Sequence, residues 1–308
     1  MLVALTILIA VGLIWTVTGI VMGGSARHGV DTKLMQLVST LVGSVFLLVL
    51  IGCNVYPKIS ISGAVLWYSL GCYFAVGLIG YVLNETMARA MERGPNGLVW
   101  AILQSGMLIP FIVGLYAHDV EPSATRLVGM ALLLLSLGLM SMNMNKGSKD
   151  MKGKSWLFLS FVAFILCGTQ QTINNEPSYS PAVRDGIPVI YRCLVIHLGV
   201  MLFASAATLL RGWKSFKLTA SRNFSLSWFW IYALGSKVFD IVSILFLTFN
   251  GMDRMAKLGC GAISYPVMVV SCIASFTLYT FIVLKERLSW QPLLGLVCCA
   301  GGIVLLSL

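Results

Sequence analysis

The chain has 308 residues, 58% of them hydrophobic and only 10% charged, with a mean hydropathy of +0.91. One soluble core cannot bury that much apolar surface, so lipid must be the solvent, and short loops leave no obvious place for a separate enzyme module. A net charge of +10 would suggest nucleic acid in a soluble protein, but here the cations are spread over short loops, where membrane topology and anionic lipid account for them better.

Ten stretches are long and apolar enough to cross about 30 Å of hydrocarbon as helices. They cover residues 2–23, 34–53, 63–88, 97–117, 124–143, 155–174, 188–210, 226–249, 258–284 and 290–308. The first has a long apolar run and no basic n-region, which marks a span and not a signal peptide. Span 3 ends with Asn84 and Glu85, and Arg89 follows one turn later. Glu85 therefore reads as a local pair with Arg89 at the interface, or as an inner gate or proton-release carboxylate. Span 6 closes on Gln170, Gln171, Asn174, Asn175 and Glu176 before Pro177. Asn and Pro both stop helices, yet amides on adjacent turns, Gln170 and Asn174 above all, also present the donors and acceptors that sugar hydroxyls need.

His197 stands alone on the apolar span 7, where a hydrogen bond to a neighbouring helix is its expected role. Span 8 carries Lys237 and Asp240 near the bilayer centre, where an ionisable group costs about 2.5 to 3.5 kcal/mol. Their i, i+3 spacing puts both on one helix face, which should turn toward the protein interior. They form either a structural ion pair or a coupling site, in which Asp240 binds a proton or substrate under the influence of Lys237. In span 9, Tyr265 adjoins Pro266, and a broken helix there would free backbone groups beside a site.

The odd-numbered gaps between spans hold 14 Lys and Arg residues and the even-numbered gaps and their margins hold 6, with Lys237 left inside a span. Cytoplasmic loops carry the excess of basic residues, so the odd gaps should face the cytoplasm and both termini should lie outside a cell (inner) membrane. The eight cysteines lie in or beside apolar stretches without a CxxC pair or a Cys/His cluster, and read as small hydrophobes. Continuous apolar runs exclude a transmembrane β-barrel. No GxxxxGK[ST], HExxH or GxSxG motif is present, so the chain is not expected to be an ATPase or an intramembrane enzyme, and no cofactor or metal is expected.

The polar linker at residues 146–154 divides the chain into 1–145 and 155–308, five spans each. The segment from Gly129 to Met142 aligns without a gap on that from Gly295 to Leu308. An odd number of spans per half makes the second copy enter the membrane upside down, the inverted repeat of many secondary transporters. Glycines such as Gly129, Gly295, Gly301 and Gly302 serve close helix packing or dimerisation.

A family resemblance follows from particular segments. Gly261-Ala-Ile-Ser-Tyr-Pro, Leu284-Lys-Glu-Arg-Leu-Ser and Gln291-Pro-Leu-Leu-Gly resemble the C-terminal signature of the drug/metabolite transporter superfamily. Gly94-Pro-Asn-Gly-Leu-Val-Trp-Ala-Ile-Leu-Gln-Ser-Gly with Pro110 resembles its fourth helix. The outward termini and Cys167-Gly-Thr-Gln-Gln-Thr-Ile-Asn-Asn-Glu-Pro-Ser-Tyr-Ser-Pro-Ala look most similar to its L-rhamnose/proton symporter and sugar permease branch. This implies an all-α polytopic fold of ten transmembrane helices in two inverted five-helix repeats. It also implies a central cavity lined mainly by spans 1, 3, 4, 6, 8 and 9, with span 7 and His197 toward the periphery. Trp15, Trp100 and Gln104 would then face the cavity, a ring stacking on a pyranose while the amide binds its edge. The expected function is alternating-access transport of a small polar solute, first a sugar or polyol with proton coupling, by a functional monomer. Export of amino acids, metabolites or cationic drugs is the alternative.

Overall fold

The computed structural model describes residues 1–94, 96–117, 123–141, 155–282 and 290–307, and no strand occurs among them. The first part of the chain forms α1 (Leu2–Arg27), α2 (Thr32–Gly52), α3 (Ala64–Met91), α4 (Asn96–Gln104), a 3-10 turn (Ser105–Met107), α5 (Leu108–Ala117) and α6 (Ala124–Ser141). The second forms α7 (Ser155–Tyr179), the short α8 (Pro181–Gly186), α9 (Val189–Leu210), α10 (Trp213–Phe224) and α11 (Ser227–Val242). A wide π turn (Ser243–Thr248) joins α11 to α12 (Phe249–Lys257), and a 3-10 turn (Gly261–Ile263) leads into α13 (Ser264–Ile282), followed by α14 (Trp290–Ser307). Six of these helical stretches are long and apolar enough to cross a membrane: α1, α2, α3, α7, α9 and the continuous run from Ser227 to Lys257. The chain is a multi-pass, all-α membrane protein. The other apolar helical runs, within 102–117, 124–136, 261–276 and 293–302, are shorter.

Local chemistry sets several boundaries. Asp31 caps α2, its carboxylate accepting from the Leu34 amide at 2.9 Å. Gly259 takes φ +69 just past α12, and the next amide, that of Cys260, folds back to the Met255 carbonyl at 2.9 Å. Only glycine enters that left-handed conformation without cost, so the helix closes there.

Three boundaries differ from the sequence reading. First, α7 does not stop at the amide cluster but continues through Pro177 to Tyr179. Pro177 lacks the N–H that would serve the Ile173 carbonyl, and side chains hold the turn instead: Asn175 Nδ2 donates to the Gly261 carbonyl and to Tyr179 Oη, both at 3.2 Å. Second, the gap at 211–225 contains a helix, α10, whose Trp213, Phe216, Ala220 and Phe224 recur at helical spacing. Phe216 packs on the core and Ala220 is buried, while Lys214 and Lys217 are exposed. Third, span 8 is longer than its apolar run, because the amphipathic α12 prolongs it.

The helices pack in a limited set of pairs. α6 lies along α14, and α2 along α9. α1 packs on α13, and α7 on α4, α5 and the turn between them. α3 lies between α7 and α9, while α11 and α12 contact α1, and α11 also contacts α2. Where α3 crosses α9 the backbones touch: a Cβ on Gly77 would stand 2.1 Å from the Ile196 carbonyl oxygen, and one on Gly199 2.3 Å from that of Phe74. Small residues permit such a crossing between helices that gain nothing by hiding from lipid.

Candidate functional site in a central cavity

A cavity of about 300 Å³ lies among α1, α2, α3, α4, α7, α9, α11 and the start of α13. Eight of the nine residues singled out in the sequence reach its wall: Trp15, Trp100, Gln104, Gln170, Asn174, Lys237, Asp240 and Tyr265. They come from helices far apart in sequence, and their partners divide them into three groups.

The first group is an amide and aromatic cluster. Asn174 Nδ2 donates to Tyr265 Oη at 2.6 Å, and the Tyr265 ring lies 6.2 Å from that of Trp15. Gln171 Nε2 points to Cys167 Sγ at 3.2 Å. Trp100 packs its ring over Gly19 of α1. Among the described residues, the buried Trp100 Nε1, Gln171 Oε1 and Asn174 Oδ1 have no hydrogen-bond partner. One donor and two acceptors on residues of the cavity wall are thus buried without a partner. A buried polar atom left unpaired costs about 1 to 3 kcal/mol, so a ligand that meets it gains accordingly. Gln170 differs from expectation. Its Nε2 ties α7 to the Val76 carbonyl of α3 at 3.1 Å, which makes this amide a helix tether.

The second group is ionic. Lys237 Nζ donates to Asp240 Oδ2 at 2.8 Å, as their spacing on one helix face requires. His197 joins them: its Nε2 lies 3.3 Å from Lys237 Nζ and 3.8 Å from Asp240 Oδ2. The peripheral place expected for His197 is corrected, since its side chain is 2% exposed and lines the cavity. α2 makes this possible through Gly43, where a Cβ would stand 3.0 Å from both the His197 ring and the Lys237 stem. The ion pair was legible from its i, i+3 spacing, whereas His197 is 40 residues away from Lys237 and carries no local sign of it.

The third group closes one end of the cavity. Gln36 of α2 donates from Nε2 to Glu85 Oε1 at 3.2 Å and accepts from Asn84 Nδ2 at 3.1 Å. Thr32 adds a hydroxyl to Glu85 Oε1 at 3.0 Å, and Lys33 Nζ stands 4.0 Å from Oε2. Glu85 is thus engaged across to α2, where a pair with Arg89 was one expectation. Gln36 and Asn84 line the central cavity, whereas Glu85 lines a second, polar cavity of about 580 Å³. That second space is also bounded by Asp31, Arg89, Arg211 and Arg222, and Arg211 pairs with Asp31 at 2.8 Å. Gln36 did not announce itself in the sequence, because a single amide near the end of an apolar run reads as an ordinary interfacial residue, whereas Gln171 belongs to the amide cluster read at the end of span 6.

A separate buried charge lies outside the cavity. Arg192 is 1% exposed and donates from Nη1 to both oxygens of Asp253, at 3.1 and 2.9 Å. Its Nε meets the Ile187 carbonyl at 2.8 Å, and Nη2 meets those of Val183 and Arg184 at 3.0 Å. The guanidinium plane also faces the Phe249 ring, 5.3 Å from its centroid.

No metal-binding group of His, Cys, Asp and Glu occurs among the described residues. No family model matches the chain. No curated protein matches it either. A solved crystal structure aligns over 98% of this chain and 95% of its own with a TM-score of 0.67 and 13% sequence identity, a likeness of fold alone.

Proposed function

We propose that the chain is a secondary transporter of the drug/metabolite type that moves a small polar solute, a sugar or polyol, by alternating access with proton coupling. The observation that carries this reading is the central cavity. Its wall draws on both halves of the chain and holds polar atoms that the protein itself leaves unpaired. Its size, about 300 Å³, falls at the lower end of small-molecule sites, about 300 to 1,000 Å³. A hydroxyl both donates and accepts, so a hydroxyl-rich solute suits a wall that carries Gln36, Ser39, Thr40, Asn84 and Gln104 beside Trp15. A simple cation could only donate, and the carboxylate that would attract it, Asp240, is already paired with Lys237.

The architecture supports ten spans in two inverted halves. α6 and α14 have 18 residues each, within the range of about 17 to 25 that crosses a bilayer. α4 with α5, and the 3-10 turn with α13, supply the remaining two spans as interrupted helices. The packing pairs also follow a twofold pattern: the contact of α1 with α13 is answered by that of α7 with α4 and α5, and α3 on α7 by α11 and α12 on α1. α2 on α9 and α6 on α14 are each other's counterparts in the two halves. The excess of Lys and Arg in alternate loops supports a cell membrane location with both termini outside. A path contained in one chain supports a functional monomer.

The test is a thermal-shift screen of the purified protein against sugars, amino acids and hydrophobic cations, followed by uptake into proteoliposomes with and without a proton gradient. A ligand that binds the native state raises its apparent melting temperature by mass action. Stabilisation by a sugar or polyol and its gradient-driven uptake are the expected results. Stabilisation confined to amino acids or cations would replace this reading with an exporter.

A further inference from the structure

His197 belongs to no part of the solute cluster, yet its ring is fixed more completely than that of any ligand-facing aromatic described above. Nδ1 lies 2.9 Å from the Cys193 carbonyl oxygen of its own helix. A carbonyl only accepts, so Nδ1 carries the hydrogen whether the ring is neutral or charged, and every change of protonation must occur at Nε2. Nε2 faces Lys237 Nζ at 3.3 Å and Asp240 Oδ2 at 3.8 Å. In the neutral ring it accepts a hydrogen from the Lys237 ammonium, which gives another to Asp240.

We propose that His197 Nε2 is the proton-loading site of the cavity, and that loading exchanges the partner of Asp240 from Lys237 to His197. A hydronium ion in the cavity gives the proton: one of its O–H bonds breaks, one N–H bond forms at Nε2, and water is left. Nε2 then has no lone pair for Lys237, and two cations stand side by side. The new N–H points to Asp240 Oδ2, and Lys237, on a flexible four-carbon stem, turns its ammonium into the cavity. The group passes from zero net charge, one lysine against one aspartate, to a net charge of plus one. A charge added away from bulk water is costly and favours a state of the protein that hydrates or neutralises it. That gives a proton a means of biasing the two faces of an alternating-access cycle.

Few other groups act on this ring. On its own helix the Cys193 thiol lies 3.7 Å from Nδ1. α2 presents Gly43, α3 crosses α9 at Gly77 and Gly199, and the α3 carboxylate, Glu85, is engaged by Thr32 and Gln36. Among the described residues, the charges that face Nε2 are therefore those of Lys237 and Asp240, both from α11.

The inference rests on the transporter reading, but its test does not require transport. The chain has three histidines, so replacing His28 and His118 by Gln leaves His197 as the single imidazole, and nitrogen-15 labelling of histidine reports its two nitrogens separately. The expected result is that Nε2 changes from unprotonated to protonated as the pH is lowered from about 9 to about 3, while Nδ1 keeps its hydrogen. Lys237→Met should move the midpoint by about one pH unit, a tenfold change in proton affinity. A ring that does not titrate in the folded protein, or a midpoint indifferent to Lys237, would overturn the assignment. Wild-type uptake that ignores the proton gradient would sink the proton-coupling part of the proposed function and leave this titration standing. Proton-dependent uptake that persists with its pH profile unchanged in His197→Gln would do the reverse.

Discussion

Arg192 Nη1 donates to both carboxylate oxygens of Asp253, at 3.1 and 2.9 Å, while its other two nitrogens hold three carbonyls around the end of α8. The sequence placed Arg192 among the loop-margin cations that mark the outer side. Folding instead buries it, and one residue fastens α8, α9 and α12 together. Removing one member of a buried pair leaves the other charge uncompensated, which costs about 3 to 5 kcal/mol. Arg192→Met should therefore lower the apparent melting temperature clearly, and Arg192→Met with Asp253→Leu should recover part of the loss. Thermal unfolding of the three proteins in one detergent checks both statements.

Trp100 lines the cavity, and its buried indole N–H has no partner among the described residues. Trp100→Phe removes that donor together with the outer edge of the indole that packs on Gly19. If a solute oxygen accepts there, its affinity should fall by about tenfold, the worth of one hydrogen bond of roughly 1.4 kcal/mol. Stability should also fall, by about 1 to 2 kcal/mol, because the outer ring atoms no longer fill their place over Gly19. Equilibrium binding by tryptophan-independent calorimetry, with a melting curve as control, separates the two.

Gly43 gives the ionic group its room. In Gly43→Val the added methyl groups meet the His197 ring and the Lys237 stem, which a Cβ alone would already approach to 3.0 Å. One of the two must move, and overpacking of this kind costs about 1 to 3 kcal/mol. Proton-coupled uptake should drop at least several-fold, while binding at the amide cluster persists. Loss of both together would show that the cavity is deformed as a whole.

The sidedness that the basic loops imply can be read directly. A cysteine introduced at Lys149, which lies outside the described residues, should react only from the cytoplasmic side, and one at Glu176 only from outside. Labelling of intact cells and of inverted vesicles with an impermeant thiol reagent, after replacing accessible native cysteines, decides the orientation. The opposite pattern would invert it.

The fold was legible to the extent that lipid dictates it. Among the described residues the long apolar runs are helical, with 3-10 turns within 97–117 and 258–284, because a bilayer offers backbone groups no other partner. α10 was not legible, since its 12 residues are amphipathic and too short to register as a span. The site was legible one residue at a time. Asn174 and Tyr265 were both singled out, yet nothing in a sequence says that residues 91 positions apart will share a hydrogen bond. Lys237 and Asp240 could be paired because a helix brings i and i+3 together. His197 and Gln36 depend on packing between helices, and the sequence has no term for that.

The π turn between Asp240 and Phe249 has one more effect. At about 100° per residue, a regular α-helix would set Asp240 and Thr248 roughly 80° apart. The wider turn takes up extra chain, and both come round to the cavity wall. Past it, the same helix presents Phe249 under the guanidinium of Arg192 and Asp253 beside it. The ionic group and the Arg192 lock are therefore in phase only through those six residues. Losing one of them would swing everything downstream by about 100°, so the length of this stretch is under tighter constraint than the identity of its side chains.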